Sequence, residues 1–253
     1  MKNKILTTFI LLALFLSACN VKGDSTMTTL NDSHWVLEQI NGQPVIENTL
    51  PTLSFRGDQQ LGGNASCNNF FGSFTAEGNK VTFSGFGSTQ MYCAEPAGLM
   101  DQEAAYLAAL ESAKTYRIED GKLLIIDDAG ATVLVFSAQN MSLEGTTWKL
   151  TSFNNGQSLT SLVIDTAINA EFKDGAVSGS SGCNTYTGAF QQNGLELSFG
   201  DLASTLMLCQ EEGVMEQENA YLQALAKVTH YIVDGNNLTF YDANDLIVAQ
   251  FSR

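Results

Sequence analysis

The sequence predicts an α+β chain made of two tandem copies of one fold. Each copy is about one hundred residues of short strands around one amphipathic helix, an ordinary size for an independent domain. Three observations lead there. The stretch Gly63-Asn64-Ala65-Ser66-Cys67-Asn68-Asn69-Phe70-Phe71-Gly72-Ser73-Phe74 returns as Gly179-Ser180-Ser181-Gly182-Cys183-Asn184-Thr185-Tyr186-Thr187-Gly188-Ala189-Phe190. Both share Gly, Cys-Asn, an aromatic three residues past the Cys, Gly and Phe. Around them apolar residues alternate at period two, and one segment per copy changes to the helical period.

The N-terminus reads as an export signal. Lys2 and Lys4 precede an apolar run from Ile5 to Leu16, which is too short to span a bilayer as a helix. Leu16-Ser17-Ala18-Cys19 follows and resembles a bacterial lipobox, which implies a signal peptide over 1–18 and lipidation of Cys19. Several acyl chains, at about 0.8 kcal/mol per buried CH₂, hold a protein firmly on a bilayer. Asn20 after that Cys favours, by resemblance to enterobacterial sorting, an outer-membrane lipoprotein facing the periplasm. Residues 19–31 read as the lipidated end and a polar tether.

The first copy is assigned to 32–138, a linker to 139–144, and the second copy to 145–253. Trp35 and Leu37 alternate on an opening strand, as do Trp148 and Leu150. Asn41-Gly42 and Asn154-Asn155-Gly156 are turn signals. Leu53 and Phe55, then Ala170 and Phe172, mark the next strand. In the Cys-Asn segment, Gly admits positive φ and Asn tolerates the left-handed region, which predicts a bulged, strongly curved strand pair. Val81 and Phe83, matched by Leu197 and Phe199, form the following strand. Thr89-Gln90-Met91-Tyr92-Cys93 recurs as Thr205-Leu206-Met207-Leu208-Cys209. The helices come next, with stripes of Leu99, Tyr106, Leu107, Leu110 and of Val214, Tyr221, Leu222, Leu225. Pro96 suits a first helical turn. Three short strands end each copy, with hairpin turns at Gly121 and at Gly235-Asn236.

Four cysteines besides Cys19 suggest disulfides in an exported chain, and four allow three pairings. Cys67 and Cys93 are spaced as Cys183 and Cys209 are, so the repeat selects one bridge inside each copy. The chain carries 12 basic and 27 acidic residues, a formal charge of −15. That balance repels phosphate backbones, which excludes nucleic acid as a partner.

A Trp-x-Leu start, a Gly-x-x-x-Cys-Asn core, a Thr-x-Met-x-Cys segment and a Glu-x-x-Tyr helix together resemble the META domain family of HslJ-like bacterial lipoproteins, here twice over nearly all of 32–253. The resemblance implies an antiparallel, partly open β-barrel, or curved sheet, with the helix packed on it, and a shape like that of the pilotin lipoproteins. It supplies no catalytic residues. Ser66 stands where the second copy has Gly182, a departure that bears on the local turn.

The chemistry-bearing residues are few. His34 and His230 stand alone, and no Cys-x-x-Cys or paired His points to a metal or cofactor. No Gly-x-Ser-x-Gly elbow or phosphate-cradling loop occurs. Met91 with Cys93, and Met207 with Cys209, are soft ligands for copper(I) on one reading and a core Met beside a bridged Cys on the plainer one. Glu103 and Glu218 sit in the apolar helix stripes. A buried carboxylate needs hydrogen bonds or a raised pKa. Each is either a polar anchor for a ligand at the barrel mouth or an acceptor for backbone N–H groups of the Cys-Asn loop. The expectation is a non-catalytic, lipid-anchored envelope protein that binds or scaffolds an unknown protein partner under stress. The rival readings are a carrier of an apolar small molecule, or pilotin-like chaperone, and a hydrolase built on Glu103 or Glu218.

Overall fold

The computed structural model describes residues 29–253. In the first domain the strands are β1 (Ser33–Ile40), β2 (Gln43–Pro44), β3 (Thr52–Arg56), β4 (Gln60–Asn64), β5 (Asn69–Glu77) and β6 (Lys80–Ser88). Helix α1 (Leu99–Glu111) follows, then β7 (Thr115–Glu119), β8 (Lys122–Ile126) and β9 (Thr132–Ala138). The second domain runs β10 (Thr146–Asn154), β11 (Leu159–Ser161), β12 (Asn169–Lys173), β13 (Ala176–Ser180), β14 (Thr185–Asn193), β15 (Glu196–Phe199) and β16 (Ala203–Ser204). Helix α2 (Val214–Leu225) follows, then β17 (His230–Asp234), β18 (Asn237–Tyr241) and β19 (Ile247–Ser252).

Each sheet is antiparallel and closes on itself, because β1 pairs with β9 and β10 with β19. The seam is thin where the helix intervenes: β6 meets β7 only through Lys80 and Thr115, and β15 meets β17 only through Glu196 and His230. The barrels are therefore closed rings with one weak joint apiece. Helix α1 lies against β1, β6 and β9, and α2 against β10 and β19. Among the described residues no helix is long and apolar enough to cross a membrane.

The inward period-two residues make two aromatic cores. Phe55 meets Phe74 edge-on at 4.9 Å, and Tyr106 of the helix meets Phe70 edge-on at 5.6 Å. In the second domain Phe172 and Phe190 stand 5.1 Å apart, and Tyr221 meets Tyr186 at 5.8 Å. The space between helix and sheet is filled by these rings.

Two glycines let the barrel curve. A Cβ on Gly63 would lie 2.2 Å from the Thr52 carbonyl oxygen, and one on Gly179 2.0 Å from that of Asn169. No side chain fits there. The pairing of β5 with β6 shifts register between Phe71 and Ser73, while β14 divides its pairing between β15 and β16.

Three sequence expectations need correction. Pro96 lies before the helix, which starts at Leu99 after Gly98 (φ 86), as α2 starts after Gly213 (φ 83). Leu30, assigned to the tether, and Leu143, assigned to the linker, are both buried in the cores. The Ser33 and Thr146 hydroxyls donate to the carbonyls of Leu30 and Leu143, so each domain begins with this hydroxyl-clamped Leu. A single apolar residue has no period, which is why the pattern missed it. Lys2, Lys4, Cys19 and Asn20 lie outside the described residues.

Candidate functional site

The motif segments of each copy meet at one point. The Cys-Asn loop between β4 and β5 turns through Ser66 at φ 113, and the loop between β13 and β14 turns through Gly182 at φ 114. The left-handed residue is thus the one before the Cys. Asn68 and Asn184 do not take positive φ, contrary to the sequence reading, and act through their side chains instead.

Glu103 reaches from α1 into the first loop. Its Oε2 accepts the backbone N–H groups of Cys67 at 3.2 Å and Asn68 at 2.8 Å, and its Oε1 accepts Asn68 Nδ2–H at 2.9 Å. Asn68 in turn holds the segment before Cys93. Its Oδ1 accepts the Thr89 hydroxyl at 2.8 Å and the Met91 N–H at 2.7 Å, and its Nδ2 donates to the Met91 carbonyl at 3.0 Å. The Cys67–Cys93 bridge, across a sequence separation of 26, closes the same point.

The second domain repeats this. Glu218 accepts the Asn184 N–H at 2.7 Å, Asn184 Nδ2–H at 2.8 Å and the Ser181 hydroxyl at 2.7 Å. Asn184 Oδ1 accepts Thr205 and the Met207 N–H, both at 2.7 Å, beside the Cys183–Cys209 bridge. Burial alone pushes the Glu218 carboxyl up. The donors from Ser181, Asn184 and the Cys183 amide outweigh it and hold the group below its ordinary value.

Met91 and Met207 are not core residues. They are 58% and 57% exposed and lie outside any strand. Their backbone, gripped by the Asn amide, is what the knot uses, so the thioether has no structural duty there. The sulfurs of the neighbouring Cys93 and Cys209 are bridged, and a bridged sulfur is no thiolate ligand. Among the described residues no group of three His, Cys, Asp or Glu side chains is placed to hold a metal ion.

The helix tyrosines anchor the opposite wall. Tyr106 donates to the Thr52 carbonyl at 3.0 Å. In the second domain Tyr186 replaces Phe70, so Tyr221 and Tyr186 share a hydrogen bond at 3.0 Å and Tyr186 donates on to the Asn169 carbonyl. Gln102 and Gln217, which sequence reading passed over, fix the long loops: their Oε1 atoms accept the Ile46 and Val163 N–H groups, each at 2.6 Å. A polar residue one position before each Glu was the available signal. The histidines stay apart. His34 is buried with Nδ1 2.9 Å from the Ser54 hydroxyl, and His230 stacks on Tyr241 with its Nε2 3.2 Å from Asp245.

A knot of loop, helix and disulfide, built twice with the same residue types, is the property of a family fold. The META domain family model matches residues 28–140 and again 141–253. The chain belongs to the META domain family. It is 32% identical over 96 residues to the heat shock protein HslJ of Escherichia coli K12, a match that covers 37% of this chain and 68% of that protein. A protein from Burkholderia xenovorans solved by NMR is similar at 26% identity over 44% of this chain and 84% of that one, with a TM-score of 0.37. A DUF4847 family protein from Bacteroides vulgatus is 18% identical over 43% of this chain and 92% of that one, with a TM-score of 0.32.

Proposed function

We propose that this META protein is a non-catalytic, lipid-anchored envelope protein that binds or scaffolds another component under envelope stress. The observation that carries the reading is the use made of the repeated polar residues. Every polar atom of Glu103, Asn68 and their counterparts is directed at the loop and disulfide rather than at open space. A carboxylate engaged by three donors is a poor general base. The aromatic filling between helix and sheet favours a scaffold over a carrier of an apolar molecule. The name of the HslJ relative gives weak support to a stress role. The lipobox at Cys19 supports the anchor, and Asn20 supports the outer membrane.

The test is genetic. Cells lacking the chain are expected to lose survival under heat or detergent challenge. Wild type restores it, and Cys19→Ser, released from the membrane fraction, does not. Equal survival of deleted and parental cells, or full rescue by a variant still in the membrane fraction, contradicts the reading.

A further inference from the structure

The two domains face each other across a cleft of about 680 Å³. One wall is the outer face of β3, β4 and β5, and the other is the outer face of β17, β18 and β19. The turn at Gly235 closes one edge, where a Cβ would meet the Leu50 side chain at 3.2 Å. Clefts of this size between domains are where ligand sites concentrate.

The internal repeat shows which cleft residues the fold does not require, because each wall has a matched face in the other copy. The face of domain 1 matched to the β17–β18 wall is an ordinary solvated surface with its own ion pairs, Lys122–Glu38 at 2.7 Å and Arg117–Glu119 at 3.8 Å. In the cleft, Asn237 replaces Lys122, Thr151 replaces Glu38, and Thr239 and Tyr241 replace Leu124 and Ile126. Likewise Ser54 stands where domain 2 has the exposed Glu171, and Phe71 where it has Thr187. Lys122, Glu38 and Glu171 thus have uncharged polar counterparts in the cleft, Ile126 and Thr187 have aromatic ones, and Arg117 is matched by Ile232.

Two charged groups remain, one per wall. Arg56 forms no ion pair among the described residues. Asp234 keeps a buried Oδ1 with no hydrogen-bond partner among them. Leaving a buried carboxylate oxygen unmatched is costly; this one is closed to solvent, and Asp234 meets the cleft through the rest of the residue. The lining is neutral in sum, on a chain whose formal charge is −15. Phe71 is 65% exposed and its ring abuts Gly87, where a Cβ would come within 2.4 Å of its Cζ. Tyr241 is fixed by parallel stacking on His230 at 5.0 Å. Aromatic rings beside hydroxyl and amide groups suit a sugar, whose ring offers C–H faces for packing and a rim of hydroxyls that both donate and accept.

We propose that the cleft between the domains binds a neutral oligosaccharide, with Asp234 accepting from its hydroxyls and Phe71 covering a ring face. This deepens the binding role above by naming a ligand class and rests on that reading. The experiment is calorimetric titration of the detergent-solubilised full chain with maltohexaose, cellohexaose and chitohexaose, with a sulfated hexasaccharide as the charged control. Cellohexaose against chitohexaose separates plain hexose glycans from N-acetylated ones as the source. At least one neutral hexamer is expected to bind, and Asp234→Ala and Phe71→Ala to weaken it at least tenfold. Glu119→Ala, at the position matched to Asp234, is expected to leave it unchanged. Phe71 lies outside the core, so Phe71→Ala decides alone if Asp234→Ala fails to fold. No binding of any neutral hexamer, equal binding of the sulfated one, or wild-type affinity in Phe71→Ala overturns the proposal. Such a failure leaves the survival experiment standing, so the two readings fall separately.

Discussion

Glu103 on the first helix grips Asn68 twice, through the backbone N–H at 2.8 Å and through the side-chain amide at 2.9 Å. One carboxylate thereby fixes both the turn of the loop and the orientation of the amide that holds the disulfide-bearing segment. Glu218 and Asn184 do the same at 2.7 and 2.8 Å.

The turn before the Cys gives an asymmetric prediction. Ser66 and Gly182 share a positive φ that side chains rarely adopt. Ser66 is compensated by Gln102, whose Nε2 donates to its Oγ at 2.8 Å. Ser66→Gly therefore relieves strain and loses a hydrogen bond, with a net change within about 1 kcal/mol. Gly182→Ser brings a Cβ within 3.2 Å of Gln217 Nε2 and is expected to cost about 1–3 kcal/mol. Urea denaturation of both variants checks the difference.

Much of this was legible in the chain, and the limits have physical causes. The repeat, the strand alternation and the disulfide pairing follow from residue type and spacing, because the pleat and the helix impose fixed periods. Glu103 as acceptor for the N–H groups of the Cys-Asn loop was one of the two readings of that residue, but the partners of the Asn68 side chain were not legible. The side-chain bonds to Thr89, Met91 and Glu103 cross from loop to loop and loop to helix, where no period links the positions. Met91 looked apolar and therefore buried, but a residue chosen for its main-chain contacts leaves no side-chain pattern. The burial of His34, Thr52 and Ser54 was equally hidden. They point outward from their own barrel beside the cleft, and the matched Thr147 and Glu171 are exposed.

Acid should act in two steps. Burial lowers the His34 pKa, opposed by the nearby Asp234 carboxylate. The unfolded chain then takes up a proton from about pH 6.5 downward while the folded chain does not, so stability falls as pH drops below that value. His34→Gln is expected to flatten the stability profile between pH 7 and 5. Glu218 has a lowered folded pKa, so its contribution is present above about pH 4.3 and disappears as pH falls through the folded value. Its Ala variant should lose the corresponding step below about pH 4. An unchanged slope in His34→Gln contradicts the assignment.

Each bridge closes a loop with a sequence separation of 26. The chain-entropy relation gives about 3–4 kcal/mol per bridge. The pair Cys67→Ser with Cys93→Ser is expected to lower the melting of the first domain, and Cys183→Ser with Cys209→Ser that of the second. Non-reducing peptide mapping that finds a cross-domain pair refutes the arrangement.

The repeated glutamates are assigned to holding the fold rather than to awaiting a ligand. Calorimetric melts of Ala and Gln variants at positions 103 and 218 test that assignment most directly. Removing the acceptor leaves buried donors unpaired, at about 1–3 kcal/mol per site. Gln retains one oxygen but turns an NH₂ toward groups that are themselves donors, so it too should melt below wild type. All four variants are expected to melt below wild type. Gln variants that melt at or above wild type, with loss of a bound molecule, would contradict the assignment.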